Sequence, residues 1–205
     1  MNSKNTWYSF TDKLDKSTCN RIKDLGGDNW KDGRVNTRAL TYLPTDSKNK
    51  LDKRSRTSEI VWSYDQWIFD VVWALVGLAN KNAGWNYDIR GAEGIQISRY
   101  KKGGFYGFHR DGRNDHLSKY DNPNNKFLYG YVRKLSMSIL LNDEFKGGEF
   151  EVGSYRNKKC TIKKPKFNTT GSIIVFPSDV EHRVAPVKKG TRYSLVCWFL
   201  GPPFK

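Results

Sequence analysis

Apolar positions recur at helical steps in parts of the first 84 residues and alternate over short runs beyond Gly84. Ser17 to Leu25 reads as a short helix capped by Ser17 and ended by Gly26-Gly27, because glycine accepts the left-handed conformation at a helix end. Arg34 to Leu43 alternates, with Val35, Thr37, Ala39, Thr41 and Leu43 on one face, and predicts a strand. Pro44 to Thr57 is polar and carries Lys53, Arg54 and Arg56, so it reads as a solvated loop whose cations need no ligand. From Ser58, placed as an N-cap, a long helix is predicted to about Asn80, with Ile60, Tyr64, Trp67, Ile68, Val71, Val72, Leu75 and Leu78 as the stripe that covers a sheet. Strand-like runs follow near 85–90, 94–100, 105–111, 134–141, 148–152, 172–176, 181–187 and 191–200. No helical pattern separates them, which points to a sandwich, jelly roll or barrel and away from a doubly wound parallel sheet.

Composition adds bounds to that outline. A chain of 205 residues suits one domain, with 1–84 as support and 85–200 as the core. Hydrophobic residues at 37% and aromatics at 14% are enough to fold it despite 28% charged residues. The net charge of +15 favours a polyanion, an acidic surface or an anionic small molecule as partner. Met1 to Phe10 lacks the apolar stretch of a secretory signal, and Trp67 to Ala79 contains Asp70 and is shorter than the ~20 residues a membrane span needs. The expectation is a cytoplasmic chain without a membrane partner. Cys19, Cys160 and Cys197 are scattered without CxxC spacing, which favours reduced thiols over a disulfide framework or zinc ribbon.

The three histidines are His109, His116 and His182. His109-Arg110-Asp111 is an H-x-D triplet, and alternate residues of an extended strand share a face, so imidazole and carboxylate converge while Arg110 points away. His182, heading the later run Glu181 to Val187, closes a set of two imidazoles and one carboxylate from an opposing wall. Such donors suit non-haem Fe(II), leaving positions open for substrate and oxygen; zinc is the alternative ion. After a reversal at Lys188 to Gly190, Arg192 returns on the His182 side with Ser194 on the same strand face. Its fork of donors suits the carboxylate of an anionic cosubstrate chelating the metal at its other end.

On these residues the chain resembles the Fe(II)- and 2-oxoglutarate-dependent oxygenases, and among them the prolyl 4-hydroxylase-like group. The likeness extends to Tyr100 and Tyr106 before the H-x-D, to Gly147-Gly148-Glu149-Phe150, and to Gly171-Ser172-Ile173-Ile174-Val175-Phe176-Pro177 before the distal His, covering about residues 85–200. The resemblance implies a mainly β, α+β fold: a double-stranded β-helix, or jelly roll, with N-terminal supporting helices. It implies Fe(II) on His109, Asp111 and His182, and 2-oxoglutarate paired with Arg192, with Tyr100 and Ser194 as further donors. With O2 consumed and ascorbate as reductant, an unactivated C–H is hydroxylated and succinate and CO2 leave. A prolyl residue of a protein or peptide is the implied target, with Tyr106, Trp198 and Arg113 as candidate substrate contacts. Where some relatives place a Tyr beside the distal carboxylate, this chain has Ile139-Leu140-Leu141, so the second partner is open among Ser194, Ser136, Ser138 and Tyr100.

The segment Gly112 to Gly130 reads as a loop beside the metal mouth, with His116 exposed and outside the ligand set. Arg110, Arg113, Lys101 and Lys102 crowd that rim, and 154–170 carries Arg156, Lys158, Lys159, Lys163, Lys164 and Lys166 with no acidic residue, so the substrate is read as anionic. One alternative is oxidative demethylation or hydroxylation of nucleic acid, which the charge and aromatics would serve. Against it, AlkB-type demethylases carry a second Arg six residues beyond the first, where this chain has Trp198. A basic, non-catalytic jelly-roll module is the other alternative, and the complete ligand set opposes it. Oligomeric state is left open.

Overall fold

A computed structural model describes residues 5–33, 55–112, 119–156 and 159–204. In chain order the elements are β1 (Tyr8–Phe10), α1 (Lys16–Asp24), β2 (Lys31–Asp32), β3 (Arg56–Thr57), β4 (Glu59–Ser63), α2 (Gln66–Asn82), β5 (Gly91–Ala92), β6 (Ile95–Tyr100), β7 (Phe105–His109) and β8 (Val132–Leu140). They continue as β9 (Lys146–Gly147), β10 (Phe150–Arg156), β11 (Lys159–Lys163), β12 (Ile173–Pro177), β13 (His182–Val184), β14 (Val187–Lys189) and β15 (Arg192–Gly201). One sheet runs β1-β12-β8-β15-β6-β4-β2, with β5 added to β15; a second runs β11-β10-β13-β7-β3; β14 and β9 form a third, small ribbon. Every pairing between these strands is antiparallel.

The pleat of the larger sheet sorts side chains by chemistry. Ile95 and Ile97 on β6, Leu135, Met137 and Ile139 on β8, Ile173 and Val175 on β12, and Leu195, Cys197 and Phe199 on β15 join one buried cluster with Cys19 and Ile22 of α1 and Ile68, Val72, Leu75, Val76 and Ala79 of α2. The intervening positions face the other way: Gln96 and Tyr100 on β6, Ser138 on β8, Phe176 on β12, and Arg192, Ser194 and Trp198 on β15 line a central cavity. A strand with period two thus carries an apolar face for the helices and a polar face for a site.

Three local expectations are corrected. Asp15, and not Ser17, caps α1: its carboxylate accepts from the Thr18 amide at 2.8 Å, while the Ser17 hydroxyl donates to Asp15. The long helix does not begin at Ser58. Glu59–Ser63 pairs with β6 as a strand, Glu59 opposite Arg99, and the helix starts at Gln66. The run 85–90 is not a strand, because the Asn80 side chain clasps the Tyr87 backbone, donating to its carbonyl at 2.9 Å and accepting from its amide at 3.0 Å. The strand predicted over 34–43 lies outside the described residues. Among the described residues no helix is long and apolar enough to cross a membrane.

Candidate active site

His109 ends β7 and His182 begins β13, and the two are direct cross-strand partners, so pairing in the second sheet sets the imidazoles side by side. Their ring centroids are 4.3 Å apart. Asp111 lies just past the strand end, where the Gly112 amide donates to the Ser178 carbonyl at 2.8 Å and Arg133 Nη1 donates to the Asp111 carbonyl at 3.1 Å. Arg133 is itself fixed by Glu93, with both contacts at 2.6 Å.

His109 Nδ1 donates to the Gly107 carbonyl at 2.9 Å, and His182 Nδ1 to the Val180 carbonyl at 3.0 Å. A carbonyl only accepts, so each Nδ1 carries a proton, and in the neutral ring it is Nε2 that holds the lone pair. Those lone pairs face Asp111, His109 Nε2 standing 3.4 Å from Oδ1 and His182 Nε2 3.6 Å from Oδ2. Burial, reinforced by His109, pushes the His182 pKa down to about 4 against the pull of Asp111, so this ring is neutral near pH 7. Burial acts to raise the Asp111 pKa, but His182, His109 and Arg133 outweigh it and hold the carboxyl well below the usual range. Two imidazole Nε2 atoms and a carboxylate therefore converge on one point, with one donor atom from each within 4.8 Å of the others. Donors about 2 Å from a common ion sit at such separations, so the set fits a divalent metal.

Rings hold the imidazoles in place. Tyr106 stacks on His109 at 3.5 Å, and Phe150 and Phe176 pack on His182 at 5.3 and 4.6 Å. Burial pushes the Tyr106 phenol up to about 12.

Across the same cavity, of about 300 Å³, stands Arg192. It is 1% exposed, donates from Nη1 to Ser194 Oγ at 2.8 Å, and leaves Nε without a partner among the described residues. Burial pulls its guanidinium down to about 10, with Tyr100 opposing, so it remains charged near neutrality. No described carboxylate pairs with it. Gly148, at φ +67°, packs so closely that an added Cβ would stand 3.0 Å from Arg192 Cδ. A buried cation without a counter-ion is costly, so this end of the cavity suits an anion.

The cavity thus brings together His109, Asp111, His182, Arg192, Tyr100, Ser194, Tyr106 and Trp198. Arg110 reaches its rim instead of pointing away, and Ser138 lines it. Ser136 is engaged with Ser178, Oγ to Oγ at 3.0 Å. Arg183 pairs with Glu151 at 2.7 Å and is not among the lining residues. Arg113 and His116 lie outside the described residues. The solvated-loop reading of Arg56 is corrected: it sits on β3, is 5% exposed and lines the cavity. Sequence reasoning also missed Glu93, Gln96 and Arg133, which line it too. Alternation on β6 could have found Gln96, which shares the Tyr100 face.

Residues 95–200 match the model of the 2OG-Fe(II) oxygenase superfamily. The chain belongs to that superfamily. A PKHD-type hydroxylase of Prochlorococcus marinus is 28% identical over 172 residues, covering 82% of this chain and 65% of that protein. Another from Thermosynechococcus vestitus is 35% identical over 110 residues, covering 51% of this chain and 41% of that one. The chain therefore spans less than two thirds of the curated relatives it matches. Among solved structures, a viral collagen prolyl hydroxylase of Paramecium Bursaria Chlorella virus-1 superposes with TM-score 0.61 at 20% identity, covering 96% of this chain and 97% of that one. A Trichoplax adhaerens prolyl hydroxylase, solved with a hypoxia inducible factor peptide, superposes with TM-score 0.66 at 20% identity, covering 95% and 83%. At that identity the likeness establishes the fold, the double-stranded β-helix of 2OG oxygenases.

Proposed function

We propose that this chain is a prolyl hydroxylase of a protein or peptide, with Fe(II) held by His109, Asp111 and His182 and 2-oxoglutarate anchored on Arg192. The observation that carries the reading is the pair of unmet charges in one cavity: imidazole Nε2 atoms crowding a carboxylate at one end and a buried guanidinium without a counter-ion among the described residues at the other. A metal answers the first and a carboxylate the second. The hydroxylase relatives support the hydroxylation, and the prolyl hydroxylases among the superposed structures, one of them solved with a peptide, support a prolyl target.

When bound, iron and 2-oxoglutarate with O2 supply hydroxylation of an unactivated C–H, with succinate and CO2 released. The protein contributes position and exclusion. Backbone carbonyls of Gly107 and Val180 fix the imidazole tautomers, so each Nε2 presents a lone pair without rearrangement. Arg192 offers its Nε and Nη groups to the far carboxylate, Ser194 holds the fork in plane, and Tyr100, 3% exposed and beside it, adds a phenolic donor. Tyr106 and Trp198 wall the cavity, orienting the target and keeping water from it. Ascorbate serves as reductant, and residues 1–84 support the 85–200 core as one catalytic domain of the cytoplasm.

The test is incubation with Fe(II), ascorbate and proline-containing peptides, with and without 2-oxoglutarate, reading succinate and peptide mass. The expected result is succinate formation together with a peptide heavier by one oxygen atom, both dependent on 2-oxoglutarate. An oxygen gained only by oligonucleotides in a parallel arm contradicts the prolyl reading and favours a nucleic-acid substrate.

A further inference from the structure

We propose that the oxidised residue is presented by an acidic segment, one of whose carboxylates seats on Arg56. The inference rests on the peptide-hydroxylase reading and names its substrate class. Arg56 is nine-tenths buried, its Nε donates to Ser58 Oγ at 2.6 Å, and its Nη2 has no partner among the described residues. Its Cζ lies 4.6 Å over the Tyr106 ring, which in turn stacks 3.5 Å from His109. The guanidinium thus stands two stacking contacts from a proposed metal ligand, inside the same cavity. On the other side Gly33 closes in: a Cβ there would come within 3.0 Å of Cζ and 2.9 Å of Nε. The fork is immobilised before any ligand arrives, which is what a selective seat requires.

Among the described residues no neighbouring carboxylate fills it. Glu93 is bound by Arg133 through both oxygens, and Glu59 by Arg99 and Lys101. Asp32 shares a second cavity of about 220 Å³ with Arg56 but is exposed and makes no ion pair with it. Lys101 and Lys102 line that second cavity and extend the positive field outward. An extended peptide advances about 3.3–3.6 Å per residue, so the acid belongs within two or three positions of the oxidised residue. One fork edge matches one carboxylate, which favours an acidic peptide over the doubly charged phosphate of a phosphopeptide or the continuous backbone of a nucleic acid.

The full chain, loaded with Fe(II) and 2-oxoglutarate, is offered matched proline peptides carrying Asp or Glu, Asn or Gln, or Lys within three positions of the proline. The expected ratio of kcat/KM, acidic over amide, is about tenfold or more, carried in KM, as one charge-assisted contact supplies. Arg56→Gln is expected to bring that ratio to about one, and Arg56→Glu to turn preference toward the Lys peptides. Each ratio is taken on one preparation, so loss of folded enzyme cancels; where a variant is inactive, the unmodified chain's ratio decides. Peptides hydroxylated without acid preference, or a preference unchanged in Arg56→Gln, overturn the seat and leave the hydroxylase reading standing. Hydroxylation of oligonucleotides and of no peptide overturns both.

Discussion

Arg192 and Glu93 show how single residues divide the work of the cavity. Among the described residues Arg192 has a hydroxyl partner in Ser194 and an unsatisfied Nε, which leaves its charge open to a ligand. Arg192→Ala is expected to raise the 2-oxoglutarate requirement at least tenfold while Fe(II) affinity measured without cosubstrate changes little, since the metal donors lie at the other end. Titration of each ligand separately checks the split. Glu93 touches none of the proposed metal ligands. It holds Arg133, whose Nη1 holds the Asp111 carbonyl, making Glu93 a positioning residue. Glu93→Gln is expected to weaken Fe(II) binding about 10–100-fold, the range typical of outer supports of metal ligands, while 2-oxoglutarate affinity measured without metal changes little. Direct Fe(II) titration reads it. None of this chain of contacts was legible in the sequence, because Glu93, Arg133 and Asp111 meet only through sheet pairing and the turn after β7. The H-x-D itself was legible, although Asp111 lies beyond the strand end and is aimed by the Gly112 amide bond as well as by alternation.

At the level of elements, the alternating runs of β6, β8, β12 and β15 were readable because one sheet face must be apolar and the other serves the cavity. The stretch from Ser58 to Ser63 was not. Ile60 and Tyr64 fall at helical spacing with Trp67 and Ile68, yet Glu59–Ser63 is rich in β-branched and aromatic residues, and a partner strand was available in β6. Local pattern alone does not reveal a partner thirty-odd residues away. That pairing carries an ion pair: Arg99 Nε donates to Glu59 at 2.7 Å and Nη2 at 3.0 Å. The hydrogen bonds from Arg99 lower the Glu59 pKa to about 2 from its usual 4.5, burial opposing. Because the folded value is the lower one, this stabilisation is complete above about pH 4.5 and is lost as pH falls toward 2. Denaturant unfolding between pH 6 and pH 2 is expected to show a steeper acid loss in the native chain than in Glu59→Gln; parallel curves would remove the pair from the stability of β4.

For the molecule as a whole, the helices brace one face of the large sheet while the smaller sheet supplies His109 and His182 opposite Arg192, so the cavity exists only when both sheets are formed. The +15 charge does not by itself specify a partner, which is why composition left peptide and nucleic acid both open, and only the proposed seat on the buried Arg56 distinguishes them. In the proposed site one ligand bridges the metal held by His109, Asp111 and His182 to Arg192, and bridging makes binding reciprocal: metal must strengthen 2-oxoglutarate binding and 2-oxoglutarate must strengthen metal binding by the same factor. The most direct measurement is calorimetric titration of 2-oxoglutarate into the protein without O2, with and without Fe(II), repeated on Asp111→Ala. Binding tightened at least tenfold by Fe(II) in the native chain, and insensitive to Fe(II) in Asp111→Ala, is the expected result. Equal affinity with and without the metal in the native chain would contradict a shared site.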